Sequence, residues 1–146
     1  MKRAVKKRKL SWHFYVACAV VAVIAILLFC HFGRVEEYAY EMADLEVMRN
    51  AEDTAKLLWF NKLPDEPVEY WFAPGELRLL PITDPIPRHC GMGTKRAGGA
   101  IKDFEAETGK AYDYSEREDY RGKSLCVTVS SVNGALDIRV HWVISG

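Results

Sequence analysis

FYVACAVVAVIAILLFC, residues 14–30, carries no charged side chain. Extended to Trp12 and Phe32 it spans 21 residues, and a helix needs ~20 to cross ~30 Å of hydrocarbon. Only a helix satisfies its own backbone N–H and C=O groups in lipid. Trp12, Tyr15 and Phe32 fall near the ends, where aromatic rings suit the interface. Lys2, Arg3, Lys6, Lys7, Arg8 and Lys9 precede the stretch with no acid among them, which places the N-terminus in the cytoplasm and the remainder outside. A cleaved signal peptide has a shorter apolar run followed by small residues, whereas Cys30-His31-Phe32 closes the run here. Beside a span, the basic decapeptide serves topology and attraction to anionic lipid rather than nucleic-acid binding.

Beyond Gly33 the helical period continues with a different pattern. Val35, Ala39, Met42, Leu45, Met48, Ala51, Ala55 and Leu58 recur at steps of three and four, one stripe of an amphipathic helix. Glu37, Glu41 and Asp44 sit beside it and read as a solvated face, with Arg49, Asp53 and Lys56 further along. The helix is expected to continue through Gly33 and to end near Asn61, before Pro64, giving roughly 70 Å in all.

Two hairpins come next in the chain. Ala73-Pro74-Gly75 supplies Pro and Gly for a type II turn between 68–72 and 76–80, with Tyr70 and Phe72 expected to face Leu79 and Leu77. Asn133-Gly134 suits the two positive-φ positions of a type I′ turn. Folding about it pairs Val129 with Ile138, Val127 with Val140, and Leu125 with Trp142, all on one face. That face needs a cover, and Met48, Ala51, Ala55 and Leu58, with Trp59 at the edge, are the expected one. Residues 81–123, rich in Pro and Gly, read as irregular.

The chain has 146 residues, 49% apolar and 27% charged, with 10 Gly and 6 Pro, which excludes a disordered or collagen-like polymer. Six of the 20 basic residues lie in the N-terminal decapeptide, leaving 14 against 20 acids, a balance that disfavours nucleic acid as a partner. The expected organisation is a basic cytoplasmic tail (1–11), a transmembrane helix (12–32), an amphipathic stalk helix (33–62) and an extracytoplasmic sheet domain (63–146). The fold class is α+β: a long N-terminal helix packed on a small antiparallel sheet of hairpins.

This pattern resembles type IV pilins and pseudopilins. Asn50-Ala51-Glu52-Asp53-Thr54-Ala55-Lys56, Tyr70-Trp71-Phe72 with Gly75-Glu76-Leu77, Gly91-Met92-Gly93-Thr94, and the closing run 119–129 with its terminal strand through Val143 are similar to pilin-like proteins of Gram-positive bacteria. The prepilin cleavage motif is absent. Leu10-Ser11-Trp12-His13-Phe14 supplies no Gly, and the span holds no Glu. The resemblance therefore implies a pilin-like protein kept as an uncleaved signal anchor at the cell surface, or one that has diverged from assembly. Its role would be structural, through helix packing in which Ala17, Ala19, Ala22 and Ala25 allow close approach. Expected partners are the lipid bilayer and either copies of itself or subunits of an envelope machine. The alternative is a monomeric anchored binding module or accessory subunit of a secretion or pilus machine, with Tyr112, Tyr114 and Tyr120 as contacts.

Candidate chemistry is sparse, and no catalytic residue or cofactor is expected. Cys18 and Cys30 fall within the span. Cys90 and Cys126 fall outside, where they can form a disulfide worth roughly 3–4 kcal/mol or remain two thiols. His89, Cys90, Cys126 and His141 lack the spacing of a zinc site. Asp113, Glu116, Glu118 and Asp119 form a weak calcium candidate, the ordinary alternative being a solvated acidic loop. Gly91-Met92-Gly93-Thr94-Lys95 is not a phosphate loop.

Overall fold

Residues 12–58 contain no proline and one glycine, so nothing interrupts helix α1, Trp12–Leu58. The computed structural model describes residues 12–88, 90–93, 99–114 and 118–144, so the basic tail lies outside the described residues. The chain forms two units, Met1–Arg34 and Val35–Gly146. In the first, every described side chain from Trp12 to Arg34 is exposed, and the helix is long and apolar enough to cross a membrane near the N-terminus.

The second unit is a helix-on-sheet domain. Strands β1 (Val68–Ala73), β2 (Arg78–Pro81), β3 (Lys123–Val132) and β4 (Ala135–Ile144) form one antiparallel sheet in the order β2-β1-β3-β4. The α+β expectation is met. The β3–β4 hairpin has the expected register, Val129 with Ile138, Val127 with Val140 and Leu125 with Trp142. Asn133 and Gly134 sit at φ 53° and 77°, as a type I′ turn requires.

The first hairpin differs by two residues: Phe72 pairs with Leu79 and Tyr70 with Pro81. Pro74 and Gly75 do occupy the turn, closed by the Glu76 N–H donating to the Ala73 carbonyl at 3.2 Å. However, Gly75 does not take positive φ; Leu77 does, at 48°. The left-handed residue comes after the turn, so β2 starts at Arg78. An even shift preserves the faces, and Phe72 still points to the core.

Leu45, Met48, Ala51 and Ala55 of α1 pack on Phe72, Leu125, Val127 and Val129, with Ile138, Val140 and Trp142 at the margin. Each large side chain fully buried is worth roughly 2 kcal/mol before entropy. The stripe is shorter than expected. Val35, Ala39 and Leu58 are exposed, while Trp59 does pack against the core. The helix ends at Leu58, and a turn through Asn61 at φ 59° closes with the Lys62 N–H on the Trp59 carbonyl at 3.0 Å.

Residues 81–123 are not wholly irregular. They contain helix α2, Ala100–Thr108, bracketed by Gly99 and Gly109 in left-handed conformation, and it buries Ala100 and Phe104 in the core.

Candidate functional site

Glu41 and Asp44 of α1, expected in solvent, are instead buried, and Glu52 is buried with them. Glu41 and Asp44 are 0% exposed and Glu52 is 5% exposed. They lie one or two turns apart on the border of the apolar stripe, facing the segment that links the hairpins. That segment has few ladder hydrogen bonds of its own, so its N–H and hydroxyl groups need acceptors. The Met92 and Gly93 N–H groups donate to Asp44 at 2.7 and 2.9 Å, and the Tyr114 hydroxyl adds a third bond at 3.0 Å. Glu41 accepts from the Ala100 N–H at 2.8 Å, at the start of α2. A carboxylate there also complements the positive end of the helix. Glu52 accepts from the Tyr112 hydroxyl at 2.9 Å and pairs with Lys56 at 2.8 Å and with Lys110.

The Asp44 and Glu52 carboxyls shift in opposite directions. Burial raises the Asp44 carboxyl above its ordinary value of 3.8, despite its three donors. For Glu52, burial pushes upward too, but the bonds from Lys110, Lys56 and Tyr112 prevail and hold it below 4.5. A lowered carboxyl stabilises the fold above the unfolded value, and that contribution is lost as pH falls from about 4.5. The raised Asp44 works in the reverse sense, ionisation weakening the fold as pH rises through its folded value. Glu52→Gln should therefore flatten the acid limb of a stability-versus-pH curve below about pH 4.5. An acid limb of unchanged slope would contradict this.

Next to the Asp44 fastening, residues 90–93 press against 119–121. A Cβ on Gly91 would overlap the Tyr120 carbonyl, and Gly93, at φ 64°, abuts Asp119 and the Tyr120 and Arg121 amides. These glycines permit the close approach of the two backbone segments. Gly91→Ala should destabilise the domain by about 2 kcal/mol or more, because backbone must move. An unchanged melting midpoint would refute the contact. Beside these glycines, Glu36, Glu37, Tyr40, Cys90, Met92 and Arg121 line a cleft of about 550 Å³.

Neither family models, nor characterised proteins, nor solved structures match this chain.

Cys90 and Cys126 are both free thiols, not a disulfide. Cys126 alternates away from Leu125 and Val127, opposite Trp71 and His141 on the far face of the sheet. Cys90 packs on the helix side, its N–H bonded to the Lys123 carbonyl at 3.1 Å. The sheet separates them. Burial raises both thiols to about 11, so neither is a ready nucleophile. His89 lies outside the described residues.

Among the calcium candidates, Asp113 is exposed, Glu118 pairs with Lys123, and Asp119 pairs with Arg121. Glu116 lies outside the described residues, as do Thr94 and Lys95 of the glycine run. Among the described residues no group of three His, Cys, Asp or Glu side chains is placed to hold a metal. Two of the three tyrosines expected as contacts are interior, and Tyr112 is half-buried. Tyr114 and Tyr120 are buried and stacked at 4.7 Å, and Tyr112 is bonded to Glu52. In the first unit, Ala17, Ala22 and Ala25 line a shallow groove with Cys18 and Val21, and Ala19 is not part of it.

Proposed function

We propose that this chain is a single-pass, membrane-anchored, pilin-like surface protein with a structural role, its N-terminus cytoplasmic and its sheet domain extracytoplasmic. The observation that carries the reading is the fully exposed apolar surface of residues 14–30, a surface that water would penalise heavily and lipid would not. The composition of the sheet domain fits a scaffold. Its buried carboxylates fasten a connecting segment, its outer thiols are suppressed by burial, and Tyr114 and Tyr120 fill the core. Assembly would proceed by packing of the membrane helices along the Ala17–Ala22–Ala25 groove. Of the contact residues of the accessory-module alternative, Tyr114 and Tyr120 are buried and Tyr112 is half-buried.

Alkaline carbonate extraction tests the anchor. The protein should stay in the membrane pellet with an intact mass of 16.6 kDa, basic tail included. Release into the supernatant would reject the anchor, and loss of the tail would reject an unprocessed N-terminus.

A further inference from the structure

The two edges of the sheet are treated differently. Strand β2 is four residues long and ends in Pro81, a short edge that resists pairing. Strand β4 is ten residues long, ALDIRVHWVI, without Pro, Lys or bulge, and pairs with β3 in unbroken register. Among the described residues, no backbone bond outside the ladder reaches it. The two-residue turn makes Val132–Ala135 the closing hydrogen-bonded pair, so the alternate residues Leu136, Ile138, Val140, Trp142 and Ile144 direct their N–H and C=O groups outward.

The charges on this edge are self-complementary. Asp137 and Arg139 are its only acidic and basic side chains besides the imidazole of His141, and they lie on the face away from the helix, 2.9 Å from each other. If a second β4 runs antiparallel about a two-fold axis at Ile138, each Asp137 meets the other copy's Arg139, a non-hydrogen-bonded pair where side chains are closest. Leu136 then faces Val140 on the apolar side, and the outward groups at 136, 138 and 140 bond across. Centring the axis at Arg139 or at Asp137 instead would oppose like charges. We propose that β4 is a homotypic interface: two copies of this chain join edge to edge into one continuous sheet in the Ile138-centred register. This goes beyond the anchor reading and does not rest on it.

The test uses the full chain in mild detergent, with mass measured by sedimentation across a concentration series. A dimer of twice 16.6 kDa is expected. Arg139→Asp should weaken it by roughly tenfold or more, since both cross-strand pairs become repulsive. The double change D137R/R139D should restore it. Ile138→Pro should abolish it by removing the central outward N–H, on an edge where proline is sterically tolerated. The charge variants keep the test valid should that proline variant unfold. A wild-type chain that is monomeric throughout, or a dimer indifferent to Arg139→Asp, overturns the proposal. A folded double variant that stays monomeric overturns it as well.

Discussion

Asp44→Ala should cost the sheet domain about 3 kcal/mol and should do so locally. Three donors converge on this carboxylate inside the protein: the Met92 and Gly93 N–H groups and the Tyr114 hydroxyl. Leaving a buried donor unsatisfied costs about 1–3 kcal/mol each, and breaking a buried charged cluster about 3–5 kcal/mol. Part of that loss is offset, because burial already disfavours the ionised Asp44. The segment holding Met92 and Tyr114 is thus fastened more by one side chain than by apolar area. Hydrogen exchange should show the Met92 and Gly93 amides losing protection while Val127 and Val140, in the sheet, keep theirs. Asp44→Asn should fall between, since an amide keeps one acceptor but turns an NH2 group toward the donors. Full protection at Met92 and Gly93 in Asp44→Ala would refute the fastening.

Ala55→Asp should unfold the sheet domain outright. Ala55 is 0% exposed and packs within the cluster built on Leu125, Val127 and Val129. Unlike Glu52, a carboxylate at 55 would meet apolar atoms. An uncompensated buried charge costs several kcal/mol even after its pKa shifts, comparable to the roughly 5–15 kcal/mol that stabilises a whole domain. Circular dichroism on heating should show no cooperative transition. Arg49→Glu, on the exposed side of the same helix, should change stability by about 0.5 kcal/mol or less. A wild-type melting curve for Ala55→Asp would mean the helix does not cover the sheet.

These two positions also mark where sequence reasoning works and where it stops. Ala55 is legible because period and turn chemistry agree: a three-four stripe, and an Asn-Gly turn that sets the register of six apolar residues. Asp44 is not, because a helical wheel assigns a carboxylate at the edge of an apolar stripe to water. What draws it inward is the need of a distant segment for acceptors, Gly93 being 49 residues away. Helix α2 is missed for a related reason. Its nine residues are too few for a periodic signal, and its glycine brackets look like loop. The one clue to it is Ala100, Phe104 and Thr108 at steps of four, with Gly109 directly after. The hairpin shift arises from Leu77 adopting a conformation that its residue type disfavours, something composition cannot announce. Of the two alternatives open for the outer cysteines, the structure has the free thiols, because strand alternation puts Cys126 on the face opposite Leu125 and Cys90 settles on the other.

Protease shaving of intact cells, read by mass spectrometry of the fragments that stay with the membrane, tests the anchor topology most directly. That topology predicts cleavage beyond Gly33, in the sheet domain, and a retained fragment that includes the apolar stretch 14–30 and the basic N-terminal decapeptide. A full-length chain protected from external protease, or found in the soluble fraction, would contradict it.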